Sequence, residues 1–283
     1  MGRRYNTVSL LTDYGTKDEF VGVLKSVLRD LAPHAVAIDL TNEIEPHDIR
    51  GASLTLARCI QYVAPGVVLA VVDPGVGTTR RAIAVEIADG AVVLVGPDNG
   101  LLAPAVAMAG GPGRAVELTN VEFHLAAAGP TFAGRDVFAP VAAHLCNGVD
   151  LAEVGDPIDA AGVLPGVVPL SRIDGDQVVT EILWVDRFGN AQLNVGPDDI
   201  APLGERVQLR AHGVVRSASR AATYGLIATG QFGIVVDSYG LVSVCLDRQS
   251  AAAELGLSAG DSVVLGPPVD TGQGETTPVT LRR

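Results

Sequence analysis

The chain of 283 residues is 48% hydrophobic and 18% charged, which excludes the sparse, highly charged composition of a disordered polymer and gives enough length for two domains. Its 20 Lys and Arg against 32 Asp and Glu leave a net charge of −12. That balance argues against nucleic acid or an anionic membrane as a partner and suits a cationic small molecule.

In chain order, the N-terminal stretch MGRRYNTVSLLTDYG carries no apolar run of signal-sequence length, and no apolar run of membrane-spanning length follows; neither export nor insertion is expected. Strands are predicted at 7–11 (TVSLL), 35–40 (AVAIDL), 67–73 (VVLAVVD), 82–87 (AIAVEI) and 91–96 (AVVLVG). Between them, 18–33 and 48–65 each open on an acidic residue, repeat apolar side chains near the helical period and stop at a proline, as helices do. This alternation predicts an α/β domain over 1–160 with a mostly parallel sheet between helices. A Pro- and Gly-rich linker is expected at 161–174. Beyond it helical period disappears, and the short runs QVVTEILWVD, RVQLRA, FGIVVD, LVSVCL and DSVVL predict an all-β, barrel-like domain over 175–283.

Four of the first strands run into turns carrying Asp, Asn or Gly: TDYG, DLTN, DPGVG and GPDNG. Ligands of open α/β sheets bind off the carboxyl ends of strands. Asp13, Asp39, Asp73 and Asp98 are therefore expected on one rim, although each also has the plainer role of a turn former.

The familiar chemical signatures are absent: there is no GxxxxGK[ST], HExxH or GxSxG, and GGPGRAV lacks the strand and helix of a dinucleotide loop. The histidines at 34, 47, 124, 144 and 212 lack metal-ligand spacing and read as surface or helix residues. Cys59, Cys146 and Cys245 show no CxxC pattern, so neither zinc nor a disulfide framework is expected and a reducing cytoplasm fits. No metal and no nucleoside triphosphate are predicted.

LLTDYGTKDEFVG, VVDPGVGTTRR, GPDNGLL, TFAGRDVFAP, EVGDP and VDRFGN, in that order, closely resemble the S-adenosylmethionine hydrolase (adenosine-forming) family, relatives of the fluorinase and chlorinase enzymes. The resemblance spans nearly the whole chain and implies an α/β domain followed by a β-barrel domain. It also implies a trimer with active sites at subunit interfaces, and S-adenosylmethionine as substrate with no separate cofactor.

The implied reaction is attack of water on the ribose C5′, displacing methionine and leaving adenosine. Methionine departs as a neutral thioether that needs no protonation, so the protein's task is to hold water in line, exclude its competitors and accept a proton late. By resemblance Asp73 is the water-binding carboxylate and Arg80 its partner in an Asp-Arg-His triad; spacing alone does not separate Arg80 from Arg81. Asp13 resembles the carboxylate that grips the ribose 2′- and 3′-hydroxyls, a task suited to two acceptor oxygens. Asp186 resembles the partner of the methionine ammonium, Phe188 and Asn190 the adenine contacts, and Phe132 and Ser238 further pocket residues. Tyr239 stands where the fluorinase branch has Arg, which leaves recognition of the methionine carboxylate open.

The family pattern has His between TF and GRD, where this chain has Ala133. A slowed hydrolase is the leading expectation. A chloride-using halogenase is the alternative, disfavoured because the Asp73 charge would repel a halide. A non-catalytic protein binding S-adenosylmethionine or adenosine through Asp13, Asp186 and Asn190 is the third.

Overall fold

The structure, a computed structural model, describes residues 2–268; residues 269–283 of the expected second domain lie outside the described residues. The chain divides into two compact units, Met1–Val168 and Pro169–Arg283.

The first unit is a seven-stranded sheet ordered β2-β1-β3-β5-β4-β6-β7, with β1 Thr7–Thr12, β2 Val36–Thr41, β3 Gly66–Val71, β4 Ala82–Ile87, β5 Val92–Pro97, β6 Ala115–Glu117 and β7 Asp156–Pro157. β1, β2, β3 and β5 are mutually parallel, and β4 reverses against β5. β6 and β7 then alternate in direction, so the sheet is mostly parallel, as expected.

Helices cover both faces: α1 Phe20–Leu31 and α4 Ala139–Cys146 on one, α2 Ile49–Cys59 and α3 Ala103–Met108 on the other. The period of two along a strand assigns alternate β3 side chains to opposite cores. Val67, Leu69 and Val71 pack with Leu24 and Leu28 of α1. Val68 and Ala70 pack with Leu56 of α2 and Ala105 of α3. This double burial explains the unbroken apolar run of β3.

Helix ends differ from the sequence expectation for local reasons. α1 begins at Phe20 because Glu19, not Asp18, occupies the cap position, and it makes no side-chain bond there. α2 is capped by Asp48, whose carboxylate accepts from the Gly51 amide at 2.8 Å, a bond of the N-cap type. It stops at Cys59 rather than running to Pro65: a short tight turn, Ile60–Tyr62, follows and Val63 is already extended, ahead of Ala64, which Pro65 disfavours as helix.

The buried turn after β5 carries a structural ion pair. Asp98 accepts from Arg81 Nε at 2.9 Å and from the Leu164 amide at 2.8 Å, while Arg81 also donates to the Gly162 carbonyl at 2.8 Å. One carboxylate oxygen thus holds Leu164 directly, and the other holds Arg81, which in turn binds Gly162. Asp98 is 1% exposed and Arg81 34%. Asp98→Ala is therefore expected to cost about 2 kcal/mol, below the range for a fully buried pair because Arg81 keeps contact with water. Urea denaturation and limited proteolysis around 162–164 check this; an unchanged midpoint with an intact segment would contradict it.

The second unit contains β8 Arg172–Asp174, β9 Gln177–Val185, β10 Ala191–Leu193, β11 Arg206–Ala211, β12 Val214–Arg220, β13 Phe232–Val236, β14 Val242–Leu246 and β15 Ser262–Gly266. The order β10-β14-β13-β12-β11-β15-β9 closes through a β9–β10 pairing into a seven-stranded barrel, with β8 as an outlying hairpin strand on β9. Among the described residues of this unit, only β12 and β13 pair in parallel. The interior is filled by alternate residues such as Ile182, Leu193, Val207, Leu209, Val244 and Leu265.

Among the described residues of this unit, short helical turns at Ala201–Leu203 and Tyr224–Leu226 and one α-helix, α5 Ala251–Leu255, interrupt the strands. Ser250 caps it by accepting from the Ala253 amide at 2.9 Å, and Gly256 ends it in the left-handed region at φ 65°. Among the described residues, no helix is long and apolar enough to cross a membrane.

Candidate active site

β1 and β3 run side by side in parallel register, so their carboxyl ends deliver Asp13 and Asp73 to the same edge of the sheet. Both line one cavity of about 370 Å³, together with Tyr14, Phe20, His47, Phe132 and Ala133.

Asp73 follows β3 in a tight turn whose Val76 amide donates to the Asp73 carbonyl at 3.2 Å. The turn brings Arg80 back over the carboxylate: Nε donates to Oδ1 at 3.0 Å and Nη2 to Oδ2, a two-pronged contact that fixes the plane of both groups. The guanidinium is itself held, with Nη1 donating to the Arg81 carbonyl at 3.0 Å and the Phe138 ring centroid 5.5 Å away. The pair is nearly dry, at 5% exposure for Asp73 and 12% for Arg80. Burial raises the Asp73 proton affinity above the usual carboxylate range; the charge and hydrogen bonds of Arg80 pull it back, and the Asp13 charge adds to the rise. A carboxylate in that condition is a better base than a solvated one.

This arrangement separates the two arginines that spacing leaves equal. Arg80 reaches Asp73, whereas Arg81 is committed to Asp98.

Asp13 is positioned by the loop after β1. Thr12 Oγ1 donates to Asn42 Oδ1 at 2.9 Å, and the Gly15 amide donates to the Asn42 carbonyl at 2.7 Å, so buried Asn42 ties this loop to the one after β2. Asp13 Oδ2 accepts from the His47 amide at 2.9 Å, while Oδ1 receives no hydrogen bond among the described residues. Of the four aspartates expected on one rim, only Asp13 and Asp73 line the cavity. Asp39 lies within β2, bound to Lys25 Nζ at 2.6 Å and Asn42 Nδ2 at 2.9 Å, and Asp98 is spent on Arg81 and Leu164.

Phe132 lies edge-on to Tyr14 and Phe20, with centroids 5.7 and 5.1 Å away. Ala133 precedes a wide helical turn, Gly134–Phe138, that leads into α4. Tyr14 and His47 are cavity residues that sequence reasoning missed. The Tyr14 place depends on Gly134, where an ideal Cβ would overlap the phenol oxygen and lie 3.2 Å from two ring carbons. His47, read as a surface residue, is exposed but faces the cavity from a left-handed backbone at φ 69°, which no local motif announces.

The barrel unit has its own cavity of about 720 Å³, lined by Asp186, Phe188, Asn190, Tyr224 and Arg248 among others. Asp186 organises the hairpin between β9 and β10: Oδ1 accepts from the Phe188 and Asn190 amides, both at 2.8 Å, and Oδ2 from Asn190 Nδ2 at 2.7 Å. This turns the Asn190 carbonyl oxygen away from the carboxylate. Phe188 is 78% exposed on the rim. Ser238 lies exposed in the β13–β14 turn and lines neither cavity. Among the described residues, no group of three or more His, Cys, Asp or Glu is arranged to hold a metal ion.

Comparison with known proteins matches residues 8–155 to the SAM hydroxide adenosyltransferase N-terminal domain and 180–264 to the C-terminal domain. An (R)-S-adenosyl-L-methionine hydrolase of Salinispora tropica is 43% identical over 90% of this chain and 95% of its own length. A fluorinase of Actinoplanes sp. is more distant, at 25% identity over 91% and 96%. A crystal structure of an uncharacterized conserved protein from Thermotoga maritima superposes with TM-score 0.85 at 33% identity, covering 92% of this chain and 99% of that one.

Proposed function

Since the chain belongs to the SAM hydroxide adenosyltransferase family, we propose that it is an enzyme hydrolysing S-adenosyl-L-methionine at the ribose C5′ to adenosine and L-methionine. The observation that carries this reading is the dry Asp73–Arg80 pair, which shares an edge of the sheet with Asp13.

In the proposed reaction water attacks C5′ as the C5′–S bond breaks and its electron pair returns to sulfur. The sulfonium charge is thereby quenched and the water oxygen becomes acidic. Asp73 accepts its proton, while Arg80 holds the carboxylate plane so that the oxygen lone pair stays in line. Asp13 grips the ribose hydroxyls through its unspent oxygen. Phe132 walls the cavity, and Phe188 and Asn190 take adenine. Asp186 meets the methionine ammonium with the Oδ2 lone pair its hairpin leaves over. The substrate brings the reacting charge itself, so no further cofactor is required. A homotrimer with active sites at subunit interfaces, in a cytoplasm reducing enough for three unpaired thiols, completes the reading.

A second reading, a non-catalytic binder, draws on Ala133, which places a methyl where an imidazole is expected. A halogenase is disfavoured, because the Asp73 charge faces the position a halide would need.

The test is incubation with S-adenosylmethionine in chloride-free buffer, following adenosine and methionine by chromatography across pH. Equimolar products are expected. Only ionised Asp73 accepts the proton, so turnover falls as pH drops through the raised Asp73 value, an acid limb above the ordinary carboxylate range. Binding without products would favour the second reading, and a chloride-dependent 5′-chlorinated nucleoside the halogenase.

A further inference from the structure

The wall beside Asp73 contains a hydroxyl that the reaction above does not use. Tyr14 follows Asp13, and its amide is anchored on Thr12 Oγ1 at 3.3 Å. Its ring is wedged edge-on against Phe132 and tilted against Phe20, with centroids 5.7 and 5.6 Å away. The phenol oxygen rests on Gly134, immediately after Ala133, in space that exists because Gly134 has no Cβ. Tyr14, Ala133 and Asp73 line the same cavity.

We propose that the Tyr14 hydroxyl is a water-positioning group that fills the corner of the site left open at Ala133; this rests on the hydrolase reading. An attacking water directs one lone pair at C5′ and a proton at Asp73, and its second lone pair needs a donor. A phenol held by three walls supplies one. Burial, reinforced by the Asp13 and Asp73 charges, pushes the Tyr14 hydroxyl above its ordinary range, so it stays protonated and donates without transferring its proton. The bond made is O–C5′, the bond broken is C5′–S, and the proton released from water goes to Asp73.

The experiment is a four-protein cycle of the parent, Tyr14→Phe, Ala133→His and the double variant, each assayed for adenosine release, adenosine affinity and thermal midpoint. Tyr14→Phe is expected to lower kcat about 10²-fold, with KM and adenosine affinity within about twofold because the proposed sugar grip of Asp13 is untouched. Beside an imidazole at 133 the same change costs less than about threefold, because the two groups serve one corner and their effects do not add. Gly134→Ala gives a second route: it keeps the phenol but displaces it, and kcat should fall while the midpoint reports any loss of fold separately. A parent that makes no adenosine overturns the hydrolase reading and this inference with it. An active parent with an unchanged Tyr14→Phe kcat, or an equal loss in both backgrounds, overturns the inference alone.

Discussion

Asp73→Asn is expected to reduce adenosine formation about 10³-fold while leaving substrate affinity close to the parent's, since it removes the proton acceptor and keeps the shape. The amide oxygen still receives one Arg80 donor, and Arg80 retains the Arg81 carbonyl and the Phe138 ring. Against this, Arg80 is left as a nearly dry cation facing a neutral partner, which ordinarily costs several kcal/mol. Burial outweighs Arg80 in setting the Asp73 proton affinity, so the ionised carboxylate is itself held at a cost that Asn relieves. The net loss of stability should be about 2 kcal/mol. Single-turnover kinetics and denaturant unfolding read the two effects separately. Activity within tenfold of the parent would move the water elsewhere.

Ala133→His is expected to raise kcat by about tenfold, short of the 10² or more that a positioned acid–base group supplies at an empty position, because Tyr14 already donates there. The backbone at 133, with φ −56° and ψ −28°, accepts any L side chain without strain. In the Tyr14→Phe background the same substitution should recover 10²-fold or more of the lost rate. No gain in either background would show that the imidazole fails to reach the water, and the resemblance at TFAGRD would then lose its mechanistic content.

Much of this architecture was legible in the sequence wherever pattern and geometry coincide. β1 to β5 announce themselves as apolar runs ending in Asp or Gly turns, and the turns after β1 and β3 deliver Asp13 and Asp73. What escaped depends on information outside a local window. α4 is buried on every side except His144, so it lacks the one-sided stripe that marks a helix, and α5 is too short to show a period. β10 has three residues and is defined by its neighbours. Arg80 and Arg81 differ only in what a turn lets each reach. Asp39 and Asp98 resemble ligand residues in one dimension and prove to be consumed by Lys25 and Arg81. Tyr14 is visible only once Gly134 is seen to lie against it.

The Asp186 hairpin has a colloidal consequence. β10 is the short latch of the barrel, pairing with β9 through Ala191, Gln192 and Leu193 and with β14 through Ala191 and Gln192, and Asp186 fastens the turn that feeds it. With β10 in place the seven-stranded ring has no open seam, and β8 outside it carries the free edge; releasing β10 would open the ring and leave the matching stretches of β9 and β14 with free amides and carbonyls, a template for self-association. The residues proposed to meet the methionine ammonium and adenine also keep the barrel shut. An Asp186 substitution therefore reports on aggregation as well as affinity, and light scattering belongs beside every binding curve measured on it.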